Sequence, residues 1–71
     1  MKTKFFVYQP WVKFGGTDGE IVIHSFSLHR SEELANQHLS EIVESLTRPN
    51  ELGSVDVVII NKGVNKIEVL E

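Results

Sequence analysis

A chain of 71 residues with 41% hydrophobic and 24% charged side chains describes a single folded domain, residues 1–71, rather than a disordered tail. The absence of cysteine excludes disulfide staples and thiolate zinc sites, and no apolar run approaches the ~20 residues that cross a bilayer. A core this small is thin, and of the usual supplements to stability self-association is the one left open.

The formal charge of −3 is unevenly spread. Residues 1–17 hold Lys2, Lys4 and Lys13 and no acid, whereas residues 18–71 set ten acids against Arg30, Arg48, Lys62 and Lys66. A uniformly basic nucleic-acid binder does not look like this. The start is basic and then apolar, as in a signal peptide, but the apolar stretch stops at Gln9-Pro10 with no small-residue cleavage site after it. The expected location is therefore the cytoplasm.

In chain order, residues 3–8 are rich in β-branched and aromatic side chains, and Trp11 to Phe14 resume that character. Pro10 cannot donate to a ladder, which predicts an edge position or a bulge in this first strand. Residues 15–19 form a glycine-rich turn, and residues 20–28 read as the second strand of a hairpin. The glycine loop is no phosphate cradle, because the lysine and the following helix of a P-loop are missing.

Residues 31–46 carry the one convincing helix. Ser31 can cap it, and Glu32 and Glu33 sit where the helix dipole favours negative charge. Positions 34, 35, 38, 39, 42, 43 and 46 make one broad apolar stripe if His38 is counted. Pro49 and Gly53 close the helical region. Residues 54–60 are a strongly apolar strand, Asn61-Lys62-Gly63 reads as a turn, and residues 64–70 alternate as a final strand. The expected fold is α+β with the order ββαββ: a four-stranded, mostly antiparallel sheet, strand order 2-1-3-4, with one helix packed on one face.

One helix covers one face of such a sheet, yet the strands put apolar side chains on both. Phe5 and Val7 oppose Phe6 and Tyr8, Val22 and Phe26 oppose Ile21 and Ile23, and Val57 and Ile59 oppose Val58 and Ile60. An uncovered apolar face predicts an interface, and a homodimer is the expected assembly. The competing expectation is that residues 11–14 fold back over that face.

The candidate protein-binding residues are acidic. Glu33, Glu41 and Glu44 project together opposite the apolar stripe, beside Gln37 and Ser40, and the helix offers no Lys or Arg to offset them. Glu32, Asp18, Glu20 and Glu51 extend the field, as do Asp56 and Glu68. The partner implied is a basic protein, most concretely the nucleic-acid-binding site of one, although three carboxylates along ~16 Å of helix are sparser than duplex phosphates. A rival surface interleaves Lys2, Lys4, Phe5, Phe6, Tyr8, Trp11, Lys13 and Phe14 in the manner of a single-strand platform, but three lysines make a weak footprint for direct nucleic-acid binding. A third expectation is a structural or regulatory subunit that docks through the apolar sheet face. His24, His29 and His38 match no metal-ligand spacing, no cofactor motif is present, and no set of nucleophile, base and oxyanion donor stands out. The expectation is a binding protein, not an enzyme.

Overall fold

The computed structural model describes residues 3–16, 18–49, 51–53, 55 and 57–70. Three strands and one helix follow in the order β1 (Lys4–Gly16), β2 (Ile21–Ser25), α1 (Glu32–Leu46), β3 (Val57–Leu70). The sheet is antiparallel throughout, with order β2-β1-β3. The α+β class, the single helix and the placing of the third strand beside the first agree with the sequence reading. Among the described residues there is no separate fourth strand, because the two segments expected as strands three and four are one continuous β3.

The correction lies at Asn61-Lys62-Gly63, which reads locally as a turn and is instead the middle of a 14-residue strand. Gly63 pairs with Trp11, and a Cβ on Gly63 would stand 3.0–3.1 Å from three indole atoms. The glycine makes room for a tryptophan across the ladder; it does not reverse the chain. Asn61 uses its Oδ1 to accept the Lys62 N–H at 2.9 Å, an Asx contact that fits a bulge as readily as a turn. The register does slip here: Lys13 faces Asn61 while Phe14 faces Ile59, leaving Ile60 as the extra residue.

Pro10 falls in the central strand, not at an edge, and the chain accommodates it in a specific way. Tyr8 exchanges both backbone hydrogen bonds with His29 at 2.8 Å, and the Phe26 N–H donates to the Pro10 carbonyl at 2.9 Å. The proline nitrogen therefore turns toward the segment that follows β2, whose ladder is interrupted between Ser25 and His29. The Phe26 carbonyl, which a Pro10 N–H would have served, accepts from the Gln9 side-chain amide at 2.9 Å instead. The first strand carries no bulge at Pro10 either: the extra residue falls in the segment that pairs with it, where the step from Phe26 to His29 faces the shorter step from Pro10 to Tyr8.

The helix begins where the sequence places it. Ser31 accepts the Leu34 N–H through its hydroxyl at 3.1 Å, and Glu32 and Glu33 occupy the first turn. Ala35, Leu39 and Ile42 are buried, and Val43 and Leu46 pack beside them. They close over Val12, which is fully buried, together with Phe14, Phe26, Ile59 and Val64. Leu34, assigned to the apolar stripe, is instead 51% exposed, because it lies roughly 100° round the helix from the line of Ala35, Leu39 and Ile42 that faces the sheet.

The core is short relative to the sheet. β1 and β3 run side by side for their full length, while α1 meets them mainly around Val12, Phe14, Ile59 and Val64. The Cα radius of gyration is 15.1 Å, against roughly 11 Å for a compact chain of this size. The molecule is elongated, and much of its sheet stands clear of the helix.

Candidate functional site

Two surfaces stand out, the outer side of α1 and the sheet face and edge that α1 leaves bare. On the helix, Glu32, Glu33, Glu41 and Glu44 are all exposed. None of the four has an ion-pair partner among the described residues. With Ala35, Leu39 and Ile42 held against the sheet, helical geometry turns Glu33, Glu41 and Glu44 away from it. Asp18 and Glu20 lie in the β1–β2 loop, where Asp18 Oδ1 accepts the Glu20 N–H at 3.0 Å, and Glu51 lies beyond the helix C-terminus. All three are exposed. Glu32 and Glu33 sit at the opposite end of the helix from Glu51, and Asp18 and Glu20 belong to a different loop, so the seven acids are drawn from three separate parts of the fold. Lys2 and Asp56 lie outside the described residues.

The lysine and aromatic residues of the N-terminal strand do not gather on one platform. Strand alternation sends Phe5 and Trp11 to one face and Phe6, Tyr8 and Phe14 to the other, with Phe14 packed under the helix. Lys4 forms an ion pair with Glu68 at 3.3 Å, and Lys4 and Lys66 stand 5.7 and 4.2 Å from the Phe6 ring centroid. Arg30 caps Phe5 at 5.0 Å. These cations are engaged with neighbouring rings and a carboxylate along the strand pair.

The three histidines, scattered in sequence over strand, loop and helix, are brought together. His29 Nε2 and His38 Nδ1 share a hydrogen bond of 2.8 Å, one ring lending the proton and the other the lone pair. Phe26 packs between His38 and His24, at 6.0 and 4.6 Å between ring centroids. The backbone bridge between Tyr8 and His29 is what carries His29 to the helix, and no sequence spacing encodes that. His29 and His38 line a shallow cleft of about 250 Å³ with Leu34, Gln37 and Glu41. Among the described residues, no three His, Cys, Asp or Glu side chains are placed to hold a metal ion.

The sheet face away from α1 is uncovered. Residues 11–14 continue β1 and do not fold back over it. Both ends carry apolar side chains, but they differ in exposure: Ile21, Ile23, Val58 and Ile60 are 48–68% exposed at one, whereas at the other Val7 is buried beside a partly exposed Ile67. Its middle is mixed, since Gln9, Lys13, Asn61 and Asn65 fall on the same side as Trp11. Ile21, Ile23, Val58 and Ile60 together present on the order of 400 Å², within the ~300–600 Å² of the largest apolar patch on a lone soluble domain. No helix among the described residues is long and apolar enough to cross a membrane.

No protein-family model matches the chain, and no curated protein or solved structure matches it either. The function has to be argued from these surfaces alone.

Proposed function

We propose that this chain is a protein-binding module that lays the outer face of α1 on a basic surface of another protein, and that it works as a pair of copies. The supporting observation is the exposed run Glu33, Glu41 and Glu44, unpaired among the described residues and carried on a helix that contains no Lys or Arg. Carboxylates left without internal partners are solvated, so they lose little when a guanidinium or ammonium group replaces the water. They also attract a basic surface over a distance of about one Debye length, ~8 Å at physiological salt.

The basic site that fits best is one shaped for nucleic acid. The positive potential that draws phosphates into such a site also draws carboxylates held along one face of a rigid helix. Occupying that site blocks it. A pair of copies doubles the charge and offsets the sparseness of three carboxylates on one helix.

Replacing Glu33, Glu41 and Glu44 together with lysine tests this reading. Tagged wild-type protein should retain basic proteins from an extract of its own host at low salt and release them as salt rises. The lysine variant, folded to the same extent by circular dichroism, should lose that set at least ~10-fold. Retention of the same proteins by both chains would contradict the proposal.

A further inference from the structure

We infer that two copies of this chain join β3 to β3 across a two-fold axis, making one continuous six-stranded antiparallel sheet in which Asn65 faces Asn65 of the second copy. This inference rests on the self-association in the reading above, but the seam involves none of the acidic helix residues, so the lysine variant of α1 and the seam variants fail distinguishably.

The backbone supplies the first argument. Tyr8, Pro10 and Gly16 direct their backbone hydrogen bonds to the β2 side of β1, to His29, Phe26 and Glu20. Odd-numbered residues of β1 therefore turn toward β3, opposite Asn65, Ile67 and Val69. It follows that the N–H and C=O groups of Val64, Lys66 and Glu68 point outward, along an edge that no strand among the described residues covers. The outward N–H of Lys62 is the one held locally, by Asn61 Oδ1. A long edge with no proline among its residues is a ready template for another strand.

Charge then selects the register. Only registers that set outward groups against outward groups can form, and the bulge at Ile60 ends the usable edge, so the candidate two-fold axes pass through residues 63–67, of which Gly63 overlaps only residues 60–66. Centring on Val64 sets Lys62 against Lys66, and centring on Lys66 sets that lysine against itself. Like charges directly opposite are destabilising. Centring on Asn65 sets Lys62 against Glu68 of the second copy, twice, with residues 60–70 overlapping. Centring on Ile67 also opposes unlike charges but overlaps only residues 64–70. The Asn65 register is the longest that charge permits. It also brings Ile67 of the second copy opposite Gly63, where the Trp11 indole lies and where Ile67 finds apolar contact on the uncovered face.

Area supplies the third argument. The single chain exposes 5335 Å², against roughly 4500 Å² for a folded monomer of 8.1 kDa. The excess is about the 800 Å² that each partner contributes to an ordinary stable interface. Stacking the bare faces on each other is the poorer arrangement, since it would bury Lys13 at the centre.

The chain has no cysteine, so a single introduced thiol reports the seam without ambiguity. In the inferred register Asn65 is a non-hydrogen-bonded pair with Cα atoms ~4.5 Å apart, within disulfide reach. Air oxidation of Asn65→Cys at micromolar concentration should give a covalent dimer, and Val58→Cys, on the far side of the bulge, should not. Lys62→Glu and Glu68→Lys should each raise the dimer dissociation constant roughly 10-fold in sedimentation experiments. Mixed together, these two single variants should dimerise as well as wild type, because each then meets an opposite charge. A monomeric wild type at tens of micromolar overturns the inference. So does a dimer in which Asn65→Cys stays unlinked and the two charge variants do not complement each other.

Discussion

Replacing Leu39 with alanine should lower the stability of this domain by about 3 kcal/mol, within the ~2–5 kcal/mol range for a leucine cut from a packed core. Leu39 is 8% exposed and sits between Ile42 of its own helix and Val12 of β1. The cavity cannot easily collapse, because Val12 belongs to a strand hydrogen-bonded on both sides and moves only with the sheet. A domain of this size has a total stability of ~4–10 kcal/mol, so one substitution removes roughly 30% of it or more. Urea denaturation followed by circular dichroism measures the loss. A change below ~1 kcal/mol would mean that α1 is not held to the sheet through this contact.

Replacing Gly63 with valine should cost about 1–3 kcal/mol and move the only tryptophan into water. The added Cβ meets three indole atoms at 3.0–3.1 Å, tighter than ordinary contact, and the second methyl group of valine leaves the ring nowhere to lie. Valine suits a strand better than glycine, so propensity alone predicts a gain. The sign of the result therefore separates local preference from cross-strand packing. Fluorescence of Trp11 should shift to the red in Gly63→Val. The Trp11→Ala, Gly63→Val double variant should lose less than the sum of its parts, because the clash needs both side chains.

Gly63 also shows where sequence reading reaches its limit. Asn-Lys-Gly carries a genuine local turn signal, and only the partner strand reveals that the glycine accommodates an indole. Pro10 is the same lesson in reverse. Its missing N–H forecasts a disruption, but that the disruption falls in the segment after β2, and that Gln9 takes over the orphaned Phe26 carbonyl, depends on contacts 17 residues apart. The His29–His38 bond is equally invisible, since it exists only because Tyr8 draws His29 alongside β1.

What the sequence does encode legibly is periodic. The cap at Ser31, the buried positions Ala35, Leu39 and Ile42, and the exposed Glu33, Glu41 and Glu44 all follow from a 3.6-residue repeat. The two-sided strands follow from a two-residue repeat, and Ile21, Ile23, Val58 and Ile60 are exposed on the face that alternation assigns them. Lys13 and Gln9 interrupt that face at its centre, which alternation also forecasts once the two strand segments are read as one.

The central claim is that this sheet is unfinished at β3 and is completed by a second strand. Residue-resolved amide exchange at low and at high protein concentration tests it most directly. The account predicts that the N–H groups of Val64, Lys66 and Glu68 exchange freely when dilute and become protected when concentrated, while Asn65 and Ile67, bonded to β1, are protected in both. Equal, rapid exchange of Val64, Lys66 and Glu68 at every concentration would contradict it.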